Sequence, residues 1–174
     1  EEAYSRYLFD GLTKHAFISF DPNYRVDLWK NKVDIFKRKC DSFIEKSHLC
    51  KFSLEEAQLL SGKKDLKEAC QVLHEKGTEI IVITLGSEGT WLSTKKFQKT
   101  IPSIKVTPKD TTGAGDAFIG CLLQQIAKHS SIDALLADES ILTNMVARAN
   151  KAGAITTTNF GAIESLPTLQ QLDS

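Results

Sequence analysis

Neither sign of charge predominates in this chain: Lys plus Arg number 22 and Asp plus Glu also 22. A balanced chain carries no global basic field of the kind that nucleic acid attracts. No apolar run approaches the ~18 residues of a membrane-spanning helix, so no membrane association is expected. No CxxC pair occurs among Cys40, Cys50, Cys70 and Cys121. Their irregular spacing fits free thiols in a reducing cytosol, and the expected localisation is cytoplasmic. His48 with Cys50, and Cys70 with His74, could in principle hold a metal. Only the second pair has helical ligand spacing and no matching pair follows it, so zinc is not expected. No leader pattern stands at the start, although the first residue is Glu1 rather than Met. Internal repeats, low-complexity segments and linkers are absent. So are the GxxxxGK[ST] and GxGxxG phosphate loops.

What remains is ordinary globular material: 174 residues, 41% hydrophobic and 25% charged, enough for one domain with a sizeable core. Glu1 to Ala16 reads as a helix with Tyr4, Leu8 and Leu12 on one stripe. Phe17 to Phe20 reads as a buried strand ended by the turn signal Asp21-Pro22-Asn23. Helix is expected over Val33 to Phe43, strand over Leu49 to Phe52, and helix over Leu54 to Leu60. Ser53 with Glu56 forms a capping-box pattern, and Ser61-Gly62 closes that helix. Lys63-Lys64-Asp65 is a solvated entry to a helix over Leu66 to Glu75, closed by Gly77. Glu79 to Thr84 is a continuous apolar strand. Trp91 to Ser93 and Phe97 to Ile101 suggest two more strands, with Trp91 a core or edge filler. Helices are expected over Gly115 to His129 and Ser140 to Ala154, the latter with Ala147, Ala149, Ala152 and Ala154 permitting close packing. The alternation predicts an α/β fold around a mostly parallel sheet flanked by helices.

The densest chemistry lies in KDTTGAGDAFIG, residues 109 to 120. Glycines let a backbone turn its N–H groups toward a ligand, and a helix start adds unpaired donors and a positive dipole end. Gly113, Ala114 and Gly115 therefore form a candidate anion hole for phosphate. A carboxylate beside phosphate repels it, so Asp116 needs another job. It either accepts the proton of a hydroxyl attacking that phosphate, or merely caps the helix. Local physics leaves both open.

DTTGAGDAF resembles the second signature of the PfkB, or ribokinase-like, carbohydrate kinases. FDPNYR (20–25), SLEEAQLLSG (53–62), TLGSEG (84–89) and ANKAGAITTTNFGA (149–162) support the resemblance in chain order. It implies a ribokinase-like fold for residues 1–174, as a partial domain carrying the nucleotide-binding C-terminal portion. The N-terminal half, with most sugar contacts and a β-stranded lid, would lie outside this chain, and a homodimer could form through that lid. The implied activity is that of an ATP-dependent, fructokinase-like sugar kinase. Alternatives are a 2-keto-3-deoxygluconate kinase, another sugar kinase of the family, or a non-catalytic nucleotide-binding fragment. An unrelated α/β binding domain whose glycines only shape turns is a further alternative.

The resemblance also implies roles. Asp116 would be the base, and Gly113, Ala114 and Gly115 would stabilise the transferring phosphoryl group. Thr84, Gly86 and Gly89 would line the nucleotide phosphates and ribose, while Asn150 and Gly153 would border the adenine. Asn23 and Arg25 would point toward phosphate or substrate. Glu56 would organise Mg²⁺ through water. Ser53 stands where the family often has Asn, and its shorter hydroxyl contributes less to that site. K⁺ would be bound by oxygens of Asp110, Thr112, Thr156, Asn159 and Gly161.

Overall fold

The computed structural model describes residues 2–129 and 131–173. Strands β1 (Ser19–Phe20), β2 (Leu49–Ser53), β3 (Ile80–Thr84), β4 (Thr90–Thr94) and β5 (Gln98–Ile101) form one sheet in the order β1-β2-β3-β4-β5. The parallel pairing of β1 with β2 sets Ser19 opposite Leu49 and Phe20 opposite Cys50. A parallel neighbour needs a crossover of a dozen or more residues. Only residues 85–89 join β3 to β4, and only residues 95–97 join β4 to β5, so these neighbours run antiparallel. The sheet expected as mostly parallel is therefore mixed. Two compact units share the chain: one holds it up to Ile83 together with Ser93–Gln98, the other Thr84–Leu92 and everything from Lys99 onward.

The first unit is built by helices around buried strands. Its helices are α1 (Glu2–Thr13), α2 (Val26–Trp29), α3 (Val33–Ile44), α4 (Leu54–Ser61) and α5 (Leu66–Glu75). Glu1, placed in the first helix from sequence, lies outside the described residues. α1 stops at Thr13 rather than Ala16, because His15 turns to a left-handed φ of 54°. Ile80, Ile81, Val82 and Ile83 are all 0% exposed, which explains why β3 reads as an unbroken apolar run. α4 carries the expected capping box at Ser53 and ends on Gly62 at φ 73°. Asp65 caps α5 by accepting from the N–H groups of Lys67 and Glu68.

The histidines and cysteines serve this packing. His74 Nδ1 lies 2.9 Å from the Thr78 carbonyl oxygen and Nε2 2.8 Å from Ser93 Oγ. Burial holds its pKa below the usual imidazole value. His48 Nδ1 accepts from the Ile18 N–H at 2.9 Å. Burial pushes the Cys40 and Cys50 thiols up to about 12. No disulfide joins the four cysteines, and the described residues contain no cluster of three or more His, Cys, Asp or Glu able to hold a metal.

The second unit rests on α6 (Ala114–Ile126) and α8 (Glu139–Thr156), which make the most extensive helix–helix contact; α7 (Ile132–Ala137) and α9 (Leu169–Asp173) are short additions. α6 ends three residues before the expected His129, in a turn where the His129 N–H donates to the Ile126 carbonyl. α8 begins on the cap Asp138 and runs two residues past the expected end. Ala149 and Ala152 are buried in its packing face, whereas Ala147 faces solvent. Gly153 allows a close approach to α6: a Cβ there would stand 3.0 Å from the Ala114 carbonyl oxygen. No described helix is long and apolar enough to cross a membrane.

Candidate functional site

A pocket of about 500 Å³ opens in the second unit. Thr84 lines it from the end of β3, Gly86 and Gly89 from the turn that follows, and Asn150 and Gly153 from α8. Ala114 and Gly115 close it at the start of α6. Seven residues singled out from sequence thus share one wall system. The same pocket is lined by Thr90, Phe118 and, from an irregular segment, Ser103, Ile104, Lys105, Val106 and Pro108, which the sequence did not flag; Lys105 is the one charged lining residue among the described residues.

The start of α6 is shaped by Gly113 at φ 81° and ψ −5°, the N-cap, with no side chain capping the helix. A Cβ at Gly113 would stand 2.8 Å from the Ala162 Cβ and 3.1 Å from its Cα. Only glycine fits both the left-handed backbone and the close approach. The first turn of a helix leaves its N–H groups without intrahelical partners. The Ala114 N–H has a long bond of 3.3 Å to the Thr111 carbonyl. Asp116 is the third residue of the helix and exposed, not its cap. The capping alternative for Asp116 is therefore set aside by geometry.

The loop before α6 is tied to the loop after α8. Asp110 Oδ1 accepts from the Thr112 N–H at 2.9 Å, and Oδ2 from the Gly161 N–H at 3.2 Å. Bonds from Thr112 and Gly161 hold the Asp110 carboxyl below the usual carboxylate range. The Lys109 and Asp110 N–H groups both donate to the Thr157 carbonyl, at 2.7 and 3.2 Å. Thr156 is buried and its hydroxyl donates to the Ala152 carbonyl at 3.0 Å, so any cation contact falls to its own carbonyl. Asn159 stands exposed in the same loop.

A second cluster lies in the first unit. Glu56 is 6% exposed and both its oxygens are engaged. Oε2 accepts from the Ser53 N–H at 2.8 Å, while Ser53 Oγ accepts from the Glu56 N–H at 3.2 Å. Oε1 accepts from the Tyr24 N–H at 2.6 Å, fastening the FDPNYR loop to α4. Asn23 takes a left-handed φ of 49°, its N–H 3.3 Å from Asp21 Oδ1. Lys51 Nζ pairs with Asp21 Oδ2 at 2.9 Å. Arg25 is exposed and donates to the Tyr24 carbonyl at 3.3 Å. Tyr24, Asp21 and Lys51 were missed from sequence, since their partners lie about thirty positions away.

Glu56→Gln separates the roles of that carboxylate. An amide keeps one acceptor oxygen but turns an NH₂ toward the second backbone donor. Leaving a buried donor unmatched costs roughly 1–3 kcal/mol. Chemical denaturation is expected to show a loss of that size, and an unchanged midpoint would mean the Tyr24 bond contributes nothing.

Residues 2–169 match the profile of the pfkB family carbohydrate kinase. Fructokinase-1 of Zea mays is 38% identical over 154 residues, covering 88% of this chain and 46% of that protein. Fructokinase-2 of Solanum habrochaites is 36% identical over 157 residues, covering 90% of this chain and 47% of the relative. The chain thus spans about half the length of these curated relatives. Among solved structures, a fructokinase from Vibrio cholerae O395, in a fructose-, ADP- and calcium-bound form, superposes with a TM-score of 0.89 at 29% identity. That match covers 99% of this chain and 54% of the other. An aminoimidazole riboside kinase from Salmonella enterica, complexed with aminoimidazole riboside and an ATP analogue, gives a TM-score of 0.80 at 32% identity, over 91% of this chain and 51% of the other.

Proposed function

Because this chain belongs to the pfkB family of carbohydrate kinases, we propose that the protein transfers the γ-phosphoryl group of ATP to a primary hydroxyl of a sugar, with fructose as the acceptor. Residues 1–174 would act as one partial ribokinase-like domain, its nucleotide site in the second unit. The observation that carries the proposal is the start of α6. A helix end without a side-chain cap closes a pocket of nucleotide size, and an exposed carboxylate that caps nothing stands in its first turn. First-turn N–H groups, that of Ala114 held only by its long bond to Thr111, and the helix dipole suit the γ-phosphoryl group.

In the proposed step the sugar oxygen bonds to the γ-phosphorus as the bond to ADP breaks, and Asp116 takes the hydroxyl proton. The Gly113, Ala114 and Gly115 amides would hold the charge on the transferring group. Thr84, Gly86 and Gly89 would flank the nucleotide phosphates and ribose, and Asn23 and Arg25 would approach substrate or phosphate. Glu56 would hold Mg²⁺ through water, an ion that neutralises phosphate charge. Its two carboxylate oxygens keep lone pairs beyond their backbone bonds, so the donor chemistry fits.

A coupled assay of ADP release by the full-length protein tests the activity. Release should require a sugar and be fastest with fructose. Fastest release with 2-keto-3-deoxygluconate would reassign the acceptor, and no sugar-dependent release would reject the kinase.

The paired loops around Asp110 and Gly161 support a K⁺ site made of loop oxygens, with Thr112, Thr156 and Asn159 contributing. Exchanging K⁺ for tetramethylammonium at matched ionic strength should lower the rate, through looser ordering of the anion-hole loop. Equal rates would exclude the site.

A further inference from the structure

We propose that Thr90 and Asn150 form a clasp that sets the width of the nucleotide pocket, each a positioning residue for the nucleotide. The proposal rests on the nucleotide reading of that pocket. Both residues line the pocket, yet their polar atoms face each other and the backbone. Thr90 is 0% exposed and Asn150 6%. The Thr90 hydroxyl donates to Asn150 Oδ1 at 2.6 Å. Asn150 Nδ2 donates to the carbonyls of Ile101 at 2.8 Å and Pro102 at 3.3 Å. Both bonds leave from the amide nitrogen, which is turned to the backbone of the wall and not to a base edge in the pocket.

The bonds of Asn150 converge where an irregular segment begins. Residues 102–113 form no helix or strand, and Ser103, Ile104, Lys105, Val106 and Pro108 make one side of the pocket. The upstream end of this segment is pressed against the β3–β4 turn: a Cβ on Gly89 would stand 2.1 Å from the Ile101 oxygen and 2.7 Å from the Ser103 nitrogen. Its downstream end is fixed by the Lys109 and Asp110 N–H bonds to Thr157. Asn150 therefore fixes the near end of a wall that has no ladder bonds of its own. Thr90 fixes the rotamer of Asn150, and its hydroxyl decides which side of the amide carries the donors. Without the clasp, nucleotide binding must order the wall as well as fill the pocket, and ordering weakens affinity.

The test compares wild type, Thr90→Val, Asn150→Ala and the double variant in the full-length protein. Affinities for ADP and for IDP, which lacks the adenine amino group, are measured by calorimetry, with nucleotide and sugar KM and thermal midpoints alongside. Thr90→Val is expected to weaken ADP and IDP equally, by roughly tenfold, the fold-change of one lost buried hydrogen bond. The sugar KM should stay unchanged, and the double variant should be no worse than Asn150→Ala alone. ADP affinity within about twofold of wild type in Thr90→Val, the range of independent sites, would overturn the clasp. So would a loss at Asn150→Ala that spares IDP, which would make Asn150 a reader of the base. A lowered thermal midpoint with unchanged nucleotide KM would reduce the pair to a packing role and also overturn it. If Asn150→Ala does not fold, Thr90→Val decides alone. If wild type binds neither nucleotide, the pocket assignment falls first; if it binds both and the variants do too, only the clasp falls.

Discussion

Asp116→Asn is expected to fold, to bind ATP at least as well as wild type, and to lose phosphoryl transfer. Asp116 sits in the first turn of α6, exposed, while Gly113 occupies the N-cap. No cap is lost on substitution, and the weakened interaction with the helix dipole costs only about 0.3–1 kcal/mol. Removing a negative charge from beside the proposed anion hole should favour the nucleotide phosphates. The amide cannot accept the sugar proton, and a general base contributes typically ~10²–10⁴-fold. kcat should fall by that much while the ATP dissociation constant holds or decreases. Both are measured on the same folded variant. A kcat within roughly threefold of wild type, below the usual share of a general base, would remove Asp116 from the mechanism.

Gly113→Ala should damage both stability and rate. The residue has φ 81°, where an L side chain costs roughly 1–2 kcal/mol. Its Cβ would also meet the Ala162 Cβ at 2.8 Å and Cα at 3.1 Å, and a backbone atom cannot step aside as a side-chain tip can. The loop must move, carrying the amides of the proposed anion hole with it. Loss of one preorganised oxyanion donor costs about 10²–10³ in kcat, which sets the expected size. Gly62→Ala is the control. Gly62 shares a positive φ, 73°, but a Cβ there meets nothing within 4 Å. Its penalty should be conformational alone, with a much smaller loss of rate. Equal kinetic losses in the two variants would detach the anion hole from the close packing of Gly113 on Ala162.

Local chemistry was the legible part of this molecule. The Ser53–Glu56 capping box needs only four consecutive residues, and it forms as read. The β3 run is apolar at every position because both faces are buried. Gly113 of the GAGD stretch announces a turn that no other residue fits. Partners far apart in the chain stayed hidden: the second oxygen of Glu56 holds Tyr24, 32 positions away, and Thr90 meets Asn150 across 60. Asn150 lines the pocket, and its amide bond to the Ile101 carbonyl is a pairing that spacing cannot reveal. The helices α2, α7 and α9 escaped notice because four to six residues carry too little periodicity. The mixed sheet escaped because strand direction depends on pairing rather than composition.

Amide hydrogen exchange of the protein with and without ADP tests the central claim most directly. The proposed nucleotide pocket lies wholly in residues 84–90, 103–118 and 150–157. ADP should slow exchange at Gly86, Gly89 and Gly115 and along 103–106, while leaving the Glu56 cluster unchanged without Mg²⁺. Protection absent from these segments, or confined to the Glu56 cluster, would contradict a nucleotide site at the start of α6.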